Sequence, residues 1–370
     1  MRIGPVEVSV PVVLAPMAGI TNAAFRRLAA EQGAGLYVCE MITSRGVVER
    51  QAKTLGMLAF DPAESVRSVQ LYGVDPSYIG DAVRILVGEY GVHHVDFNFG
   101  CPVPKITRKG GGAALPWKRD LLRAILSEAV RAAEPDGVPI TMKTRMGIDR
   151  DHLTHLDAGT IAEDVGCAAI ALHGRTADQH YSGDADWTAI AELKQHVSIP
   201  VLGNGDIWEA SDALRMMAET GCDGVVVGRG CLGRPWLFRD LAAAFTGVDV
   251  PAPPTLGEVC AMVHRHGELL AELMGEARGL TDLRKHMAWY LKGFVVGGAT
   301  RSALGKVSSL GELDMLLGDI DQGQAFPASE LGVPRGRQGS PRRVVLPAGW
   351  LDDRRTASLG AEAELDVSGG

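Results

Sequence analysis

The chain has 370 residues, 46% hydrophobic and 22% charged, with a net charge of −8; this is a globular composition with room for one large domain and a smaller one. No apolar run reaches the length of a membrane span, and no signal peptide precedes the strand-like N-terminal sequence, so a cytoplasmic protein with no membrane contact is expected. The acidic balance argues against bulk affinity for nucleic acid and leaves RNA binding to a local basic patch. The six cysteines (39, 101, 167, 222, 231 and 260) form no C-x-x-C pair, which points to reduced thiols and no metal site.

Between about residues 10 and 245 the pattern repeats as strand, loop and helix. Strands are predicted at Val12–Pro16, Gly35–Cys39, Ser68–Tyr72, His94–Asn98, Ile140–Thr144, Ala168–His173, Val201–Gly203 and Gly224–Val227. Several are continuous apolar runs, as strands buried on both faces should be. Amphipathic helices are predicted between most of them, at Ala23–Glu31, Ser77–Glu89, Asp120–Ala133, Ala158–Val165, Trp187–Gln195 and Ala210–Glu219. Eight such strands suit an α/β fold of the (β/α)8 TIM-barrel type. A doubly wound sheet would carry a Gly-rich fingerprint after its first strand, where this chain has Ala15-Pro16-Met17-Ala18-Gly19.

Pro251-Ala252-Pro253-Pro254 is a stiff break, after which helices are predicted at Leu256–Met274, Thr281–Phe294 and Thr300–Leu317. The expected division is a catalytic barrel at 1–248, a helical bundle at 255–320 and a disordered tail at 321–370 rich in Gly, Pro, Ser and Arg. The tail's arginines (335, 337, 342, 343, 354 and 355) read first as solvated charges. The second reading is a flexible arm that adds phosphate contacts. Within the bundle, Arg284-Lys285-His286 followed by Trp289-Tyr290 forms a local basic and aromatic cluster.

If the barrel closes, polar residues at its strand ends meet at one mouth. Strand by strand these are Pro16, Met17 and Ala18; Gln70; Asn98 and Cys101; Lys143 and Arg145; His173 and Arg175; Asn204, Gly205 and Asp206; and Gly228 and Arg229. Cys101 sits between Gly100 and Pro102, which hold a thiol on a tight loop just past a strand. The other reading of this residue is a buried structural cysteine. Gly-rich turns after strands seven and eight of a barrel commonly bind phosphate, and Arg229 could add a charge-assisted bond. A buried Lys143 needs a carboxylate or a polar cofactor atom as partner. A phosphate site, a lysine, a histidine and two amides around one mouth suit flavin mononucleotide (FMN). No hydrolase triad and no metal-ligand spacing is visible.

These motifs resemble the tRNA-dihydrouridine synthases. They run in order as Ala15-Pro16-Met17-Ala18-Gly19-Ile20-Thr21, Val69-Gln70-Leu71, Asp96 to Pro102, Met142-Lys143-Thr144-Arg145, His173-Gly174-Arg175-Thr176, Asn204-Gly205-Asp206, and Gly228-Arg229 with Gly233-Arg234-Pro235-Trp236. The C-terminal Arg284-Lys285-His286 with Trp289-Tyr290 is similar to the helical domain of the bacterial B-type branch. The resemblance implies an FMN-bound barrel, a tRNA-binding helical domain and NADPH-dependent reduction of a uridine C5–C6 bond. It assigns Pro16, Met17, Ala18, Gln70, Lys143, His173, Asn204, Gly205, Asp206, Gly228 and Arg229 to the flavin, and the proton to Cys101. Asn98, Arg145, Arg175, Arg284 and Lys285 are expected substrate contacts, and a monomer is expected. The rival readings are an FMN barrel acting on a small pyrimidine or enone, and a non-catalytic RNA-binding barrel.

Overall fold

The computed structural model describes residues 1–357 and 359, apart from 34 and 337. A short antiparallel hairpin, β1 (Arg2–Ile3) and β2 (Val6–Glu7), precedes eight parallel strands. These are β3 (Val12–Leu14), β4 (Leu36–Thr43), β5 (Ser68–Tyr72), β6 (His94–Phe99), β7 (Ile140–Arg145), β8 (Ala169–His173), β9 (Val201–Asn204) and β10 (Gly224–Val227). They close into a barrel in chain order, with β10 pairing β3. All eight predicted strands are present, and β4 runs on to Thr43 through a register irregularity between Val38 and Met41. Composition gave no signal for the hairpin or for the helix Leu237–Thr246.

Alternation along the strands sorts residues between two layers. Val12 and Leu14 join the large apolar layer between barrel and helices, while Val13 and Ala15 join a separate cluster inside the barrel. That inner cluster takes Leu36, Val38, Ala169, Ala171, Leu202 and Val226, and Ile3, Val6 and Val8 from the hairpin. The hairpin turn lies beside Pro139 and Ala168, so it plugs the N-terminal end of the barrel. The inward positions of β5, β6 and β7 are instead polar: Ser68 and Gln70, His94 and Asp96, Thr141 and Lys143. Lys143 thus enters the barrel interior among polar neighbours.

After the barrel, helices Leu256–Met274 and Glu276–Tyr290 form a hairpin, followed by Gly298–Leu304 and Leu310–Gly318. A capping box starts the first of these, with Thr255 and Glu258 each accepting from the other's N–H. The single helix predicted at Thr300–Leu317 is broken at Gly305–Ser309, where Ser309 caps the next helix. The helical region has its own apolar cluster, which also takes Ala24, Leu28 and Trp236 from the barrel. Gly233 (φ +65°) lies against the backbone of Trp289, where an added Cβ would sit 2.3 Å from its carbonyl carbon; only glycine permits that approach. No helix among the described residues is long and apolar enough to cross a membrane.

The tail expected to be disordered instead packs on the barrel from Pro327 onward, with Arg335, Val344 and Trp350 buried. Its composition lacks periodic apolar residues, so its order rests on isolated anchors that pattern reading does not register. The part of that expectation falling on residues 337, 358 and 360–370 lies outside the described residues.

Trp236 is almost fully buried where the two apolar clusters meet, edge-on to Phe326. Trp236→Ala is expected to lower unfolding free energy by about 3–5 kcal/mol. Urea denaturation should show this as an earlier midpoint with an unchanged slope.

Candidate active site

The C-terminal ends of the barrel strands surround a cavity of about 580 Å³, within the range of about 300–1,000 Å³ usual for small-molecule sites. Pro16, Met17, Ala18, Gln70, Asn98, Cys101, Lys143, Arg145, His173, Asn204, Gly205, Asp206, Gly228 and Arg229 all line it. The loop that carries Met17 is fixed by Thr21, whose Oγ1 accepts from the Met17 N–H at 3.0 Å. Arg26 in turn donates to the Thr21 carbonyl and forms a two-pronged bond with Glu64, both side chains buried.

Cys101 lies just past β6, held from below by Asn98. The Asn98 Oδ1 accepts from the N–H groups of Gly100 (3.1 Å) and Cys101 (2.9 Å). Its Nδ2 donates to Gln70 Oε1 at 2.7 Å, and Gln70 Nε2 donates to Asp96 Oδ2 at 2.7 Å. Thr141 Oγ1 donates to Asp96 Oδ1 at 2.7 Å and lies 2.9 Å from His94 Nε2. His94 Nδ1 meets Ser68 Oγ at 2.7 Å. A continuous polar line thus runs up the barrel interior to the Cys101 loop. Burial pushes the Asp96 carboxyl up, against the pull of its Thr141 and Gln70 donors. Burial likewise pushes the Cys101 thiol up, so it is protonated at neutral pH.

Lys143 faces Asn98 across the β6–β7 ladder and has no hydrogen-bond or ion-pair partner among the described residues. Its Nζ is an ammonium beside a cavity with no carboxylate bonded to it. Burial, and then the neighbouring Arg145, bring its pKa down to about 8. Burial and the surrounding cations hold His173 well below 6.5, so it is a neutral ring. Arg145 is brought down to about 10 by burial and bonds three main-chain carbonyls, Gly100 (2.8 Å), Thr176 (3.0 Å) and His180 (2.8 Å), through Nε and Nη1. Its Nη2 makes no such bond and remains for the cavity.

Arg175, an expected substrate contact, is placed differently. Its donors go to the carbonyls of Ser182 and Gly183, to His173 Nε2 and to Asp206 Oδ2, and it does not line the central cavity. It lines a more open neighbouring hollow of about 840 Å³. At the far end of the central cavity, Asp206 accepts from Arg175 (2.7 Å) and from the Ala185 N–H (2.6 Å), while its Oδ1 is buried without a hydrogen bond, 3.7 Å from Arg229. Arg229 stacks on Tyr181 and Trp208, 4.3 and 5.1 Å from their ring centres. Three described non-glycine residues have positive φ, and two of them, His180 and Asp206, line this cavity. Such strain collects at functional sites.

Arg284 and Lys285 stand outside the cavity. Arg284 Nε donates to the Val307 carbonyl at 2.8 Å, and Lys285 pairs with Asp282 at 2.6 Å while lying beside Gly19 of the first barrel loop. The aromatic part of their cluster is mostly internal: Trp289 is half-buried, and His286 and Tyr290 are buried, their rings packed on His266. Sequence reading missed Asp96 as the centre of the polar line, and missed Tyr181, Trp208 and Arg26. Asp96 stood in a quoted motif, and its period-two spacing with His94 and Asn98 was the available signal. Tyr181 lies in an irregular loop with no pattern to mark it. No group of three or more His, Cys, Asp or Glu side chains that could hold a metal ion occurs among the described residues.

A closed parallel barrel with a thiol, a partnerless ammonium and glycine turns at its C-terminal mouth defines a barrel enzyme with its site at the usual end. The profile of the dihydrouridine synthase (Dus) family matches residues 13–323. The chain belongs to the dihydrouridine synthase family of oxidoreductases. It is 58% identical over 378 residues to the "probable tRNA-dihydrouridine synthase" of Mycobacterium tuberculosis, covering 100% of this chain and 97% of that one. It is 37% identical over 308 residues to tRNA-dihydrouridine synthase B of Pasteurella multocida, covering 83% and 92%. Among solved structures, the 6-hydroxypseudooxynicotine amine oxidase of Pseudomonas geniculata N1 superposes with a TM-score of 0.51 at 16% identity, over 71% of this chain and 52% of that one. That likeness is one of fold.

The Lys143 environment makes a testable statement. Its folded pKa of about 8 lies below its ordinary 10.5, so between those values the unfolded chain binds a proton that the folded chain has released. Stability of the ligand-free protein therefore rises with pH across this window. Lys143→Met should be more stable than wild type at pH 7 and should lack this contribution to the rise. Denaturant titrations at pH 7, 8, 9 and 10 check it; parallel curves for the two proteins would contradict it.

Proposed function

We propose that this chain binds FMN at the barrel mouth and, with NADPH as reductant, converts uridine in tRNA to 5,6-dihydrouridine. The observation that carries this reading is the meeting of a partnerless Lys143 ammonium and a protonated Cys101 thiol in one cavity. The residues fit the cofactor. Lys143 lacks a protein partner and would find one in an electron-rich ring edge. Gly205, Asp206, Gly228 and Arg229 end the cavity where phosphate sites form on barrels. The Asp206 charge, which would repel phosphate, is already paired with Arg175.

In this assignment Asn204 to Asp206, Gly228 and Arg229 would hold the phosphate end, Pro16 to Ala18 would flank the ring, and Gln70, Lys143 and His173 would meet its polar edge. When bound and reduced, FMN would supply a hydride to the uracil C5–C6 bond at C6. Cys101 supplies the proton to C5, so one hydride and one proton together saturate the C5–C6 bond. The raised thiol pKa keeps that proton in place at neutral pH. Asn98 fixes the height of the thiol through two backbone N–H groups. His173 stays neutral, while Lys143 and Arg145 add positive charge beside the oxygens that gain electron density. The base must leave its stack to enter the cavity, and Lys285, exposed beside the first barrel loop, is placed to meet the RNA that remains outside.

Cys101→Ala should keep flavin reduction by NADPH and lose dihydrouridine formation by about 10²-fold or more. In wild type, the alkaline limb of kcat/KM should lie above the free-thiol value of about 8.5. Anaerobic reduction followed by addition of unmodified tRNA tests both. Normal turnover by the alanine variant would remove Cys101 from the chemistry, and reoxidation by a small enone but not by tRNA would replace the substrate assignment.

A further inference from the structure

The segment after residue 323, outside the span matched by the family profile, crosses the mouth of the barrel between two anchors. At one end Arg335 is 2% exposed and donates to the carbonyls of Leu232 (3.4 Å) and Trp289 (3.0 Å). At the other, Trp350 is 5% exposed, its indole N–H donating to the Ala114 carbonyl at 3.0 Å and its ring 4.9 Å beneath Lys118 Nζ. Gly110 (φ +82°) makes room for that ring, since an added Cβ would lie 2.3 Å from it. The Trp350 seat belongs to the stretch that supports the catalytic loop, where the Ala113 N–H donates to the Cys101 carbonyl at 3.0 Å. Between the anchors, Gln338, Gly339, Ser340 and Arg342 line the same cavity as Cys101 and Lys143. The Arg342 N–H is pinned to the Asp178 carbonyl at 2.8 Å.

Charge gives this wall a direction. Residues 331–350 hold four arginines and no acidic residue in a chain of net charge −8. Arg342 and Arg343 are both exposed, and neither has a carboxylate partner among the described residues. Only Arg342 of the two reaches the cavity. Its charge is also felt by His180, whose protonation it helps to disfavour. When a base enters the cavity, its phosphates stay at the rim, which is where this guanidinium stands.

We propose that the C-terminal strap is a built part of the substrate site, with Arg342 a substrate-positioning residue that binds an RNA phosphate next to the reacting uridine. This rests on the tRNA reading above and adds to it a contact from outside the span the family profile matches. Both arginines are exposed, so their loss should leave folding intact, and matched thermal melts confirm this before comparison.

The test uses full-length, FMN-loaded wild type, Arg342→Ala, Arg342→Lys and Arg343→Ala, with unmodified tRNA transcript. Arg342→Ala should raise KM about tenfold with kcat nearly unchanged. It should also reduce the slope of log K against log salt by about 0.7–0.9, the loss of one phosphate contact. Arg342→Lys should restore the slope, and Arg343→Ala should have the smaller effect on KM. Equal effects of the two alanine variants, or no change in either slope while wild type makes dihydrouridine, would reduce the strap to packing and leave the proposed reaction standing. Wild type that binds no tRNA would overturn both readings.

Discussion

The site depends on the buried carboxyl of Asp96 and the requirement that both its oxygens be bonded. A carboxyl inside a barrel is costly without donors, and here Gln70 and Thr141 provide them at 2.7 Å each. Once the Gln70 NH₂ is turned to Asp96, its Oε1 must face Asn98; once the Asn98 NH₂ answers it, the Asn98 Oδ1 is left to cap the Cys101 loop. The parallel ladder sets the same order, pairing Gln70 with Asp96, Asp96 with Thr141, and Asn98 with Lys143. The thiol and the ammonium are therefore positioned by sheet register and a chain of bonded amides, with the loop held in place from below.

The same accounting of donors separates the cations at the mouth. Arg175 has every donor nitrogen in a contact and serves to fix Asp206 and the loop at Ser182–Gly183. Arg145 has two nitrogens on carbonyls and one remaining. Lys143 has all its donors open to the cavity. This gradation explains why one mouth can hold so many positive groups: the structural ones are screened by backbone oxygens, and the open one has released part of its charge affinity, with a pKa near 8. An electron-rich ligand at that position would draw the proton back onto Lys143, so ligand binding and protonation are coupled there.

The barrel was legible because its strands are apolar runs bounded by glycine and proline, and because their polar ends are short and separate. The lining residues were legible for the same reason: in a closed parallel barrel every strand end reaches one mouth. What could not be read was how each side chain divides its bonds. Arg145 and Arg175 look alike in sequence, each two residues after an inward lysine or histidine near a strand end (Lys143 and His173), yet one lines the cavity and the other does not. His286 and Tyr290 looked like surface aromatics beside basic residues, but their helical spacing with Leu283 and Met287 puts them in the core. The tail was misread because Trp350, Val344 and Arg335 are too far apart to make a period.

The helical region, the barrel loop after β10 and the strap meet at a single point, and this gives the mouth its rigidity. Arg335 donates at once to the barrel through Leu232 and to the helical region through Trp289. Gly233 lets the Trp289 backbone approach that same loop. Beside them, Glu209 takes both prongs of Arg234 and the Gly332 N–H. A buried guanidinium bonded to carbonyls on two elements resists their separation, since parting them would strand its donors. The helical region is thereby held at a fixed height above the barrel mouth that carries Cys101.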